Sequence, residues 1–299
     1  MEQTTDFAGE TAVRALEING QRLHVAVRPG GKEHRPLLLL NGIGANLELL
    51  QPFVDKLDGG IETILVDLPG AGQSPAPSIP YRPQGLAKLL ARLLDELAYP
   101  VVDVLGISLG GAIAQQFARQ YPERCRRLVL VSTGTGAIMV PGRLPVLLKM
   151  LTPRRYSDPA HMAGIAPHIY GGRIRTDPSL ITSHVGAMRI GRSLGYYWQL
   201  LGITGWTSIH WLHRLRQPTL ILSGTDDPIV PLANAKIMAR LIPNARLHVF
   251  DDGHLGLLTS ADTLAPVIQQ FLTEEAPEAQ AGAKAASATS RRTKHVGTA

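Results

Sequence analysis

The stretch Val-Leu-Gly-Ile-Ser-Leu-Gly-Gly-Ala at residues 104–112 decides the fold of this chain. It places the pattern Gly-x-Ser-x-Gly at the end of an apolar run, 101–107, and a helical pattern follows from Leu109 to about residue 120. A strand, a tight turn at Ser108 and a helix are the context of a nucleophile elbow, in which a strained turn lifts the serine hydroxyl above a sheet edge. Glycine is required two residues before and after the serine, because a Cβ atom there would crowd the turn. We therefore predict that Ser108 is a nucleophile.

Apolar runs and helical patterns alternate on both sides of this stretch. The runs predict strands at 37–40, 61–66, 101–107, 127–132, 219–222 and 247–250, with helices at 84–97, 109–120 and 263–272. Residues 13–18 and 23–27, separated by Asn19-Gly20, predict a β-hairpin with a two-residue turn. Strands that alternate with helices predict an α/β fold with a mostly parallel central sheet flanked by helices.

The alternation breaks at about Gly134 and resumes after about Gln217. The intervening sequence has scattered prolines, Gly171-Gly172 and short amphipathic pieces without a good strand. We predict that 138–216 form a helical lid, inserted between a first core part, 1–137, and a second core part, 217–273. The last stretch, 274–299, has almost nothing large and apolar to bury, which predicts a disordered tail.

The composition excludes several classes of protein and site. The 299 residues include one cysteine, which excludes a disulfide framework and a cysteine-based metal cluster, and we expect no metal and no cofactor. The net charge of +6 is mildly basic, but no basic run is interleaved with aromatic residues, so we expect no nucleic-acid partner. The first residues contain no basic region followed by an apolar one, and no apolar segment reaches about 18 residues. These features predict a cytoplasmic protein that does not span a membrane.

Two further residues complete a catalytic constellation with Ser108. Asp226 and Asp227 follow the predicted strand 219–222, and His254 follows 247–250. The order Ser, Asp, His is that of the α/β-hydrolases, and all three positions lie past carboxyl ends of strands. Histidine is the base that a weakly nucleophilic serine needs near neutral pH, and the aspartate orients its imidazole. We assign the acid to Asp227, which fits the frame Gly-x-x-Asp-x-x-x-Pro, with Asp226 as the alternative.

The loop after strand 37–40 reads Asn41-Gly42-Ile43-Gly44. In α/β-hydrolases this loop supplies one backbone N–H of the oxyanion hole, and the residue after the nucleophile supplies the other. We assign these donors to Ile43 and Leu109. Asn41-Gly42 stands where His-Gly is usual, but the donor is a main-chain group, so this change need not matter. The alternative is a plain glycine turn.

Several longer motifs point to one family. They are Asn-Gly-Ile-Gly-Ala-Asn-Leu-Glu-Leu (41–49), Ile-Tyr-Gly-Gly (169–172), Gly-Tyr-Tyr-Trp-Gln-Leu (195–200) and Gly-Trp-Thr-Ser-Ile-His-Trp-Leu-His (205–213). From the first hairpin to about residue 272, the chain resembles the intracellular medium-chain-length polyhydroxyalkanoate depolymerases. The resemblance implies an α/β-hydrolase fold and a cytoplasmic serine hydrolase at storage granules, which cleaves ester bonds of a bacterial polyester. That family typically has tryptophan after the nucleophile, where this chain has Leu109.

The lid contains all three tryptophans, Trp198, Trp206 and Trp211. An aromatic-rich lid suits a long apolar chain, so we predict that these residues contact a hydrophobic ester substrate and that the lid docks on the polyester granule surface. The alternative is that they only pack the lid onto the core. Two other functions stay open. One is a small-molecule carboxylesterase, thioesterase or carbon–carbon bond hydrolase, and the other is a binding protein, against which the complete triad argues.

Overall fold

The computed structural model describes residues 11–181 and 193–274, which are built around an eight-stranded sheet. Its strands are β1 (Ala12–Ile18), β2 (Gln21–Arg28), β3 (Leu37–Leu40), β4 (Thr63–Val66), β5 (Val102–Ile107), β6 (Cys125–Val131), β7 (Thr219–Gly224) and β8 (Ala245–Phe250). They lie in the order β1-β2-β4-β3-β5-β6-β7-β8. The pairs from β4 to β8 are parallel, and β2 is antiparallel to both of its neighbours. The mostly parallel sheet predicted from the sequence is confirmed.

The central strands are apolar on both faces. Successive residues of a strand point to opposite sides of the sheet. In β3, Leu37 and Leu39 pack into one core, whereas Leu38 and Leu40 pack into the core on the other side. Both faces are therefore covered, which explains why these strands read as continuous apolar runs and not as an alternation with polar residues.

The hairpin at the start of the chain forms as predicted. Asn19 and Gly20 separate β1 from β2, and Ile18 pairs with Gln21 across the turn. Both turn residues have a positive φ, 50° at Asn19 and 78° at Gly20. Positive φ at both positions is the signature of the type I′ turn, whose twist matches that of the two strands.

Helices cover both faces of the sheet. They are α1 (Gln51–Val54), α2 (Pro83–Glu96), α3 (Leu109–Gln120), α4 (Leu144–Lys149), α5 (Arg154–Ser157), α6 (Pro159–Tyr170), α7 (Gly172–Thr176), α8 (Ser193–Ile203), α9 (Leu232–Leu241), α10 (Gly256–Thr259) and α11 (Ala261–Thr273), with short 3-10 helices at Leu47–Leu50 and Leu212–Arg214. Residues of α2, α3 and α9 fill one core, and residues of α1 and α11 fill the other. The sequence predicted α2, α3 and α11 to within two residues at each end.

The segment between β6 and β7 consists of helices and loops where the structure describes it. It contains α4 to α8 and no strand of the sheet, apart from an isolated bridge between Gly136 and Thr207. This segment corresponds to the lid predicted at 138–216, of which 182–192 lie outside the described residues. The segment begins at the carboxyl end of β6, which is the edge of the sheet where the parallel strand β5 also ends.

The C-terminal end of the described chain lies against the sheet. The Glu274 carboxylate accepts hydrogen bonds from Arg246 of β8 at 2.7 and 2.8 Å, and its carbonyl accepts one from Arg127 of β6. The rest of the predicted tail, 275–299, lies outside the described residues. Within 11–181 and 193–274, no helix combines the length and the apolar character needed to cross a bilayer.

The backbone of helix α3 touches the backbone of the sheet, and glycine residues allow this close approach. A Cβ atom on Gly110 would lie 2.0 Å from the Leu40 carbonyl oxygen, and one on Gly106 would lie 2.3 Å from the Gly110 carbonyl oxygen. Both distances are far below a van der Waals contact, so any larger residue would push α3 away from β3 and β5. The prediction that glycine is required on both sides of Ser108 is confirmed.

We expect Gly110→Ala to destabilise the fold by at least ~2 kcal/mol, because its methyl group has no space beside the Leu40 backbone. Gly164→Ala is the matched control. Gly164 lies exposed within α6, and a Cβ atom there would meet nothing within 4 Å. Alanine at this position should stabilise the helix by ~0.5–1 kcal/mol. Urea unfolding of both variants measures the two effects, and equal stability of Gly110→Ala and wild type would contradict the steric argument.

Candidate active site

Ser108 is the turn residue between β5 and α3. Its backbone has a φ of 52° and a ψ of −116°, a region that residues with a side chain rarely adopt. Two hydrogen bonds hold the turn. The Ser108 N–H donates to the Val131 carbonyl at 3.0 Å, and Thr133 Oγ1 donates to the Ser108 carbonyl at 2.7 Å. A strained backbone conformation of this kind persists only where the surrounding structure holds it. The fold therefore fixes the direction of the Ser108 side chain.

His254 and Asp227 form a buried pair beyond the ends of β8 and β7. Nδ1 of His254 lies 2.8 Å from Oδ2 of Asp227, and the exposed fractions of the two side chains are 5% and 0%. The other oxygen of Asp227 accepts hydrogen bonds from the N–H groups of Ile229 and Val230, each at 2.9 Å. A carboxylate at Nδ1 holds the imidazole proton there, which leaves the lone pair of Nε2 available to a hydroxyl.

Asp226, the alternative acid, is used elsewhere. Its carboxylate accepts hydrogen bonds from the Arg175 guanidinium at 2.9 and 3.1 Å and from the Gly172 N–H at 2.9 Å. Partial burial, the largest single influence, raises the pKa of Asp226, but these hydrogen bonds and the nearby charge of Arg175 lower it below its usual range. The geometry therefore favours Asp227 as the partner of His254.

Ser108 and His254 line the same cavity. Its wall also includes Gly42, Ile43 and Tyr170. The His254 ring lies nearly parallel to the Tyr170 ring, with centroids 6.5 Å apart and an interplanar angle of 11°. The structure thus brings the predicted nucleophile and base to one edge of the sheet, where α/β folds place their ligands.

The loop after β3 presents backbone N–H groups beside this cavity. Three of its N–H groups have acceptors, which are Asn41 Oδ1 at 2.9 Å for Gly42, Gln199 Oε1 at 2.8 Å for Gly44 and the Gly42 carbonyl at 3.2 Å for Ala45. The Ile43 N–H has no acceptor among the residues that the structure describes. The Leu109 N–H opens α3, where the first amides have no partner within the helix. Neither predicted oxyanion donor thus has an acceptor among the described residues.

Two side chains hold this loop in place. The Tyr156 hydroxyl, from the inserted segment, donates to the Ile43 carbonyl at 2.5 Å. Asp67 is fully buried, and its two oxygens accept hydrogen bonds from the N–H groups of Leu47 at 2.7 Å and Gln73 at 2.8 Å. Because the Tyr156 hydroxyl holds the Ile43 carbonyl, it also restricts the peptide groups next to Ile43.

The motif Ile-Tyr-Gly-Gly seats the inserted segment on the loop that carries His254. The Tyr170 carbonyl accepts a hydrogen bond from the His254 N–H at 2.8 Å. A Cβ atom on Gly171 would lie 2.0 Å from the Asp226 carbonyl oxygen, and one on Gly172 would lie 1.9 Å from the Gly253 nitrogen. Glycine is needed at both positions because the two backbones touch there.

The three tryptophans lie in different environments. Trp206 is buried, and its Nε1 donates to Gln116 of α3 at 2.9 Å, while Trp211 packs edge-on against it with centroids 6.1 Å apart. Trp198 lines a separate, largely apolar pocket together with Leu109. Within the described part of the chain, none of the three lines the cavity of Ser108 and His254. Trp206 thus contacts α3 directly, and Trp211 contacts Trp206.

Sequence reasoning did not predict the three long polar side chains that line the Ser108 cavity, namely Arg155, Tyr156 and Tyr170. They lie on α5 and α6, in the segment without a clear periodic pattern. Tyr170 belongs to a motif that we noted only as a resemblance. No local signal marks Arg155 and Tyr156, because their position depends on how short helices pack over the sheet.

Comparisons with known proteins agree with this architecture. Residues 35–261 match the family model for the alpha/beta hydrolase fold. The poly(3-hydroxyalkanoate) depolymerase of Ectopseudomonas oleovorans is 55% identical over 262 residues, which cover 88% of this chain and 93% of that protein. A pimeloyl-[acyl-carrier protein] methyl ester esterase of Aromatoleum aromaticum is 31% identical, over 80% of this chain and 99% of that protein. The resemblance predicted from the motifs is confirmed.

Solved structures show the same fold. The crystal structure of an enol-lactonase from Burkholderia xenovorans has a TM-score of 0.75 and 23% identity, and the match covers 87% of this chain and 100% of that chain. A hydrolase from Pseudomonas aeruginosa has a TM-score of 0.74 and 22% identity, over 89% of this chain and 100% of that chain. These likenesses confirm the predicted α/β-hydrolase fold class.

The two aspartates can be separated by the reactivity of Ser108. We expect Asp227→Asn to slow labelling by a fluorophosphonate probe by about 10⁴-fold, because an amide at Nδ1 favours the wrong imidazole tautomer. Asp226→Asn leaves the His254–Asp227 pair intact and should label at nearly the wild-type rate. Intact-mass spectrometry over time measures both rates, with Ser108→Ala as the unlabelled control. A larger loss in Asp226→Asn would move the acid to that residue.

Proposed function

The chain belongs to the α/β-hydrolase family, and we propose that it is a serine ester hydrolase that depolymerises poly(3-hydroxyalkanoate) through an acyl-enzyme. The observation that carries this proposal is the buried His254–Asp227 pair beside the cavity that His254 shares with Ser108. The 55% identity to the Ectopseudomonas oleovorans depolymerase, over most of both chains, supports the substrate class.

The residues present can carry out both halves of ester hydrolysis. Ser108 Oγ attacks the ester carbonyl carbon while His254 Nε2 takes its proton, and Asp227 stabilises the imidazolium. The N–H groups of Ile43 and Leu109 hold the oxyanion, and each contributes about 3–4 kcal/mol of transition-state stabilisation. The carbon–oxygen bond to the alcohol then breaks, and His254 returns the proton to that oxygen. Water attacks the acyl-enzyme by the same route and regenerates Ser108.

The pocket beside Leu109 supports a preference for medium-length side chains. It is lined mainly by apolar groups, which include Leu86, Trp198 and Ile203, and its wall also includes Leu109, the residue after Ser108. Burial of each additional CH₂ group contributes ~0.8 kcal/mol, so a longer alkyl side chain gains affinity until the pocket is filled. Leu109 stands where the family that the chain resembles typically has the larger tryptophan.

The exposed leucines of α4 and of the turn after it are the surface that we assign to granule docking. Leu144 and Leu148 lie four residues apart and share one face of α4, and Leu151 lies in the turn that follows the helix. Their exposed fractions are 67%, 57% and 54%, whereas Val146 packs into the core. Neighbouring exposed apolar side chains mark a surface that binds an apolar partner. A polyester granule is such a partner because it presents alkyl chains. We infer that the protein acts at storage granules in the cytoplasm.

Granules of defined side-chain length test the proposed substrate. We expect the protein to hydrolyse poly(3-hydroxyoctanoate) faster than poly(3-hydroxybutyrate), because the longer side chain buries more apolar area, and to hydrolyse p-nitrophenyl octanoate as a soluble control. Titration of released acid measures all three rates, and Ser108→Ala should abolish them. Activity on the soluble ester alone would leave a small-molecule esterase. Faster attack on poly(3-hydroxybutyrate) would contradict the side-chain preference but not the triad.

A variant with Leu144→Gln, Leu148→Gln and Leu151→Gln tests docking. We expect its rate on poly(3-hydroxyoctanoate) granules, divided by its rate on p-nitrophenyl octanoate, to fall by about tenfold or more, because three leucine side chains no longer contact the polymer. Val13→Gln changes an exposed residue of β1 and should keep the wild-type ratio. An unchanged ratio in the triple variant would place docking on another surface.

A further inference from the structure

Arg155 is a buried cation in the wall of the Ser108 cavity. It is 2% exposed and lines this cavity together with Ser108 and His254. A guanidinium carries five N–H donors. Nη1 donates to Met150 Sδ at 2.9 Å and Nη2 to the Tyr156 hydroxyl at 3.3 Å, but Nε has no partner among the described residues. The Nε donor is therefore unused by the surrounding residues that the structure describes.

The charge of Arg155 is not balanced by a carboxylate. Arg155 forms no ion pair with any Asp or Glu of the described chain. The internal segment outside the description, 182–192, contains no Asp or Glu in its sequence. Instead, the guanidinium lies over the rings of Tyr156 and Tyr196, at 4.5 and 5.2 Å from their centroids. Aromatic faces attract a cation but do not neutralise it, and buried charges in proteins are ordinarily paired.

Arg155 is connected to the reacting centre by a short chain of hydrogen bonds. Its Nη2 donates to the Tyr156 hydroxyl, and that hydroxyl donates to the Ile43 carbonyl at 2.5 Å. Ile43 supplies one of the two proposed oxyanion donors. An anion held by this guanidinium would therefore lie in the same cavity as the ester that Ser108 attacks.

We propose that Arg155 binds the free carboxylate of a terminal 3-hydroxyalkanoate unit, and that the enzyme therefore cleaves the polyester from its carboxyl end. This inference rests on the proposed function. The planar fork of a guanidinium matches the two oxygens of a carboxylate, and the pairing gives Nε a partner that the protein does not supply. Of the groups in a polyester, only the chain end and the released acid carry a negative charge.

The reaction balances with this placement. Ser108 Oγ forms a bond to the carbonyl carbon of the penultimate unit, and the bond from that carbon to the terminal unit's oxygen breaks. His254 gives the proton it took from Ser108 to this oxygen. The terminal unit then leaves as a 3-hydroxyalkanoate anion, with its carboxylate on Arg155. The rest of the chain remains on Ser108 until water releases it with a new carboxyl end.

Competitive inhibition of p-nitrophenyl octanoate hydrolysis tests the carboxylate site directly. We expect 3-hydroxyoctanoate to have an inhibition constant about tenfold lower than that of neutral 3-hydroxyoctanamide in the wild type, since a hydrogen bond to a charged group is lost with the amide. Arg155→Met should remove this difference, and Arg155→Lys should keep part of it. Arg154→Met is the matched control, because its side chain is 65% exposed on the same short helix, and it should keep the wild-type ratio. The two inhibition constants are compared within the same variant. Their ratio therefore does not depend on how much activity that variant retains.

Two outcomes would overturn the proposal. The first is that 3-hydroxyoctanoate and 3-hydroxyoctanamide have equal inhibition constants in the wild type. This outcome needs no variant, so it counts even if Arg155→Met fails to fold. A wild-type preference for the anion that persists in Arg155→Met would also overturn the proposal, and it would leave Arg155 as a positioning residue for Tyr156 and Ile43.

The direction of cleavage is tested with 3-hydroxyoctanoate trimers. We expect the free acid to be cleaved about tenfold more efficiently, by kcat/KM, than the trimer whose carboxyl end is a methyl ester. Equal values would overturn cleavage from the carboxyl end. If p-nitrophenyl octanoate is turned over and neither trimer is cleaved, the proposed polyester function fails, and the inhibition ratio still decides whether Arg155 binds a carboxylate.

Discussion

The contact between Gly110 of α3 and the Leu40 carbonyl of β3 is the constraint on which the site depends. A Cβ atom on Gly110 would lie 2.0 Å from that oxygen, so the helix can start this close to the sheet only with glycine there. The contact sets the N-terminus of α3 directly after Ser108, and Leu40 is the last residue before the loop that carries Ile43. One backbone contact therefore determines the position of the nucleophile relative to both proposed oxyanion donors.

The inserted segment is part of the site and not only its cover. His254 is held by Asp227 of the core on one side, whereas Tyr170 of the inserted segment accepts its backbone N–H and lies against its ring. Gly171 and Gly172 make this possible, since both contact the loops after β7 and β8 at distances that exclude a Cβ atom. Displacement of this segment would disturb the proposed base, His254, as well as the entrance to the cavity.

Two different environments adjoin the proposed nucleophile. The side that begins at Leu109 is apolar, with Trp198 and Leu86 in its wall. The cavity of Ser108 itself contains the unpaired guanidinium of Arg155 among tyrosine rings. A 3-hydroxyalkanoate anion has an alkyl side chain and a carboxylate on one small molecule, so it offers a complement to each environment.

The sequence by itself determined the sheet, the Asn19-Gly20 hairpin and the turn at Ser108, because apolar periodicity and glycine positions report local burial and local backbone freedom. It also predicted His254 as the base and one of two adjacent aspartates as its acid, since chain order reflects the order of strand ends. Only the tertiary structure shows that Asp227 contacts His254 and that Asp226 contacts Arg175. It likewise decided that Trp206 packs on α3 and that Arg155 enters the Ser108 cavity. Those contacts depend on how short helices without a periodic pattern pack over the sheet, and no local stretch of sequence encodes that packing.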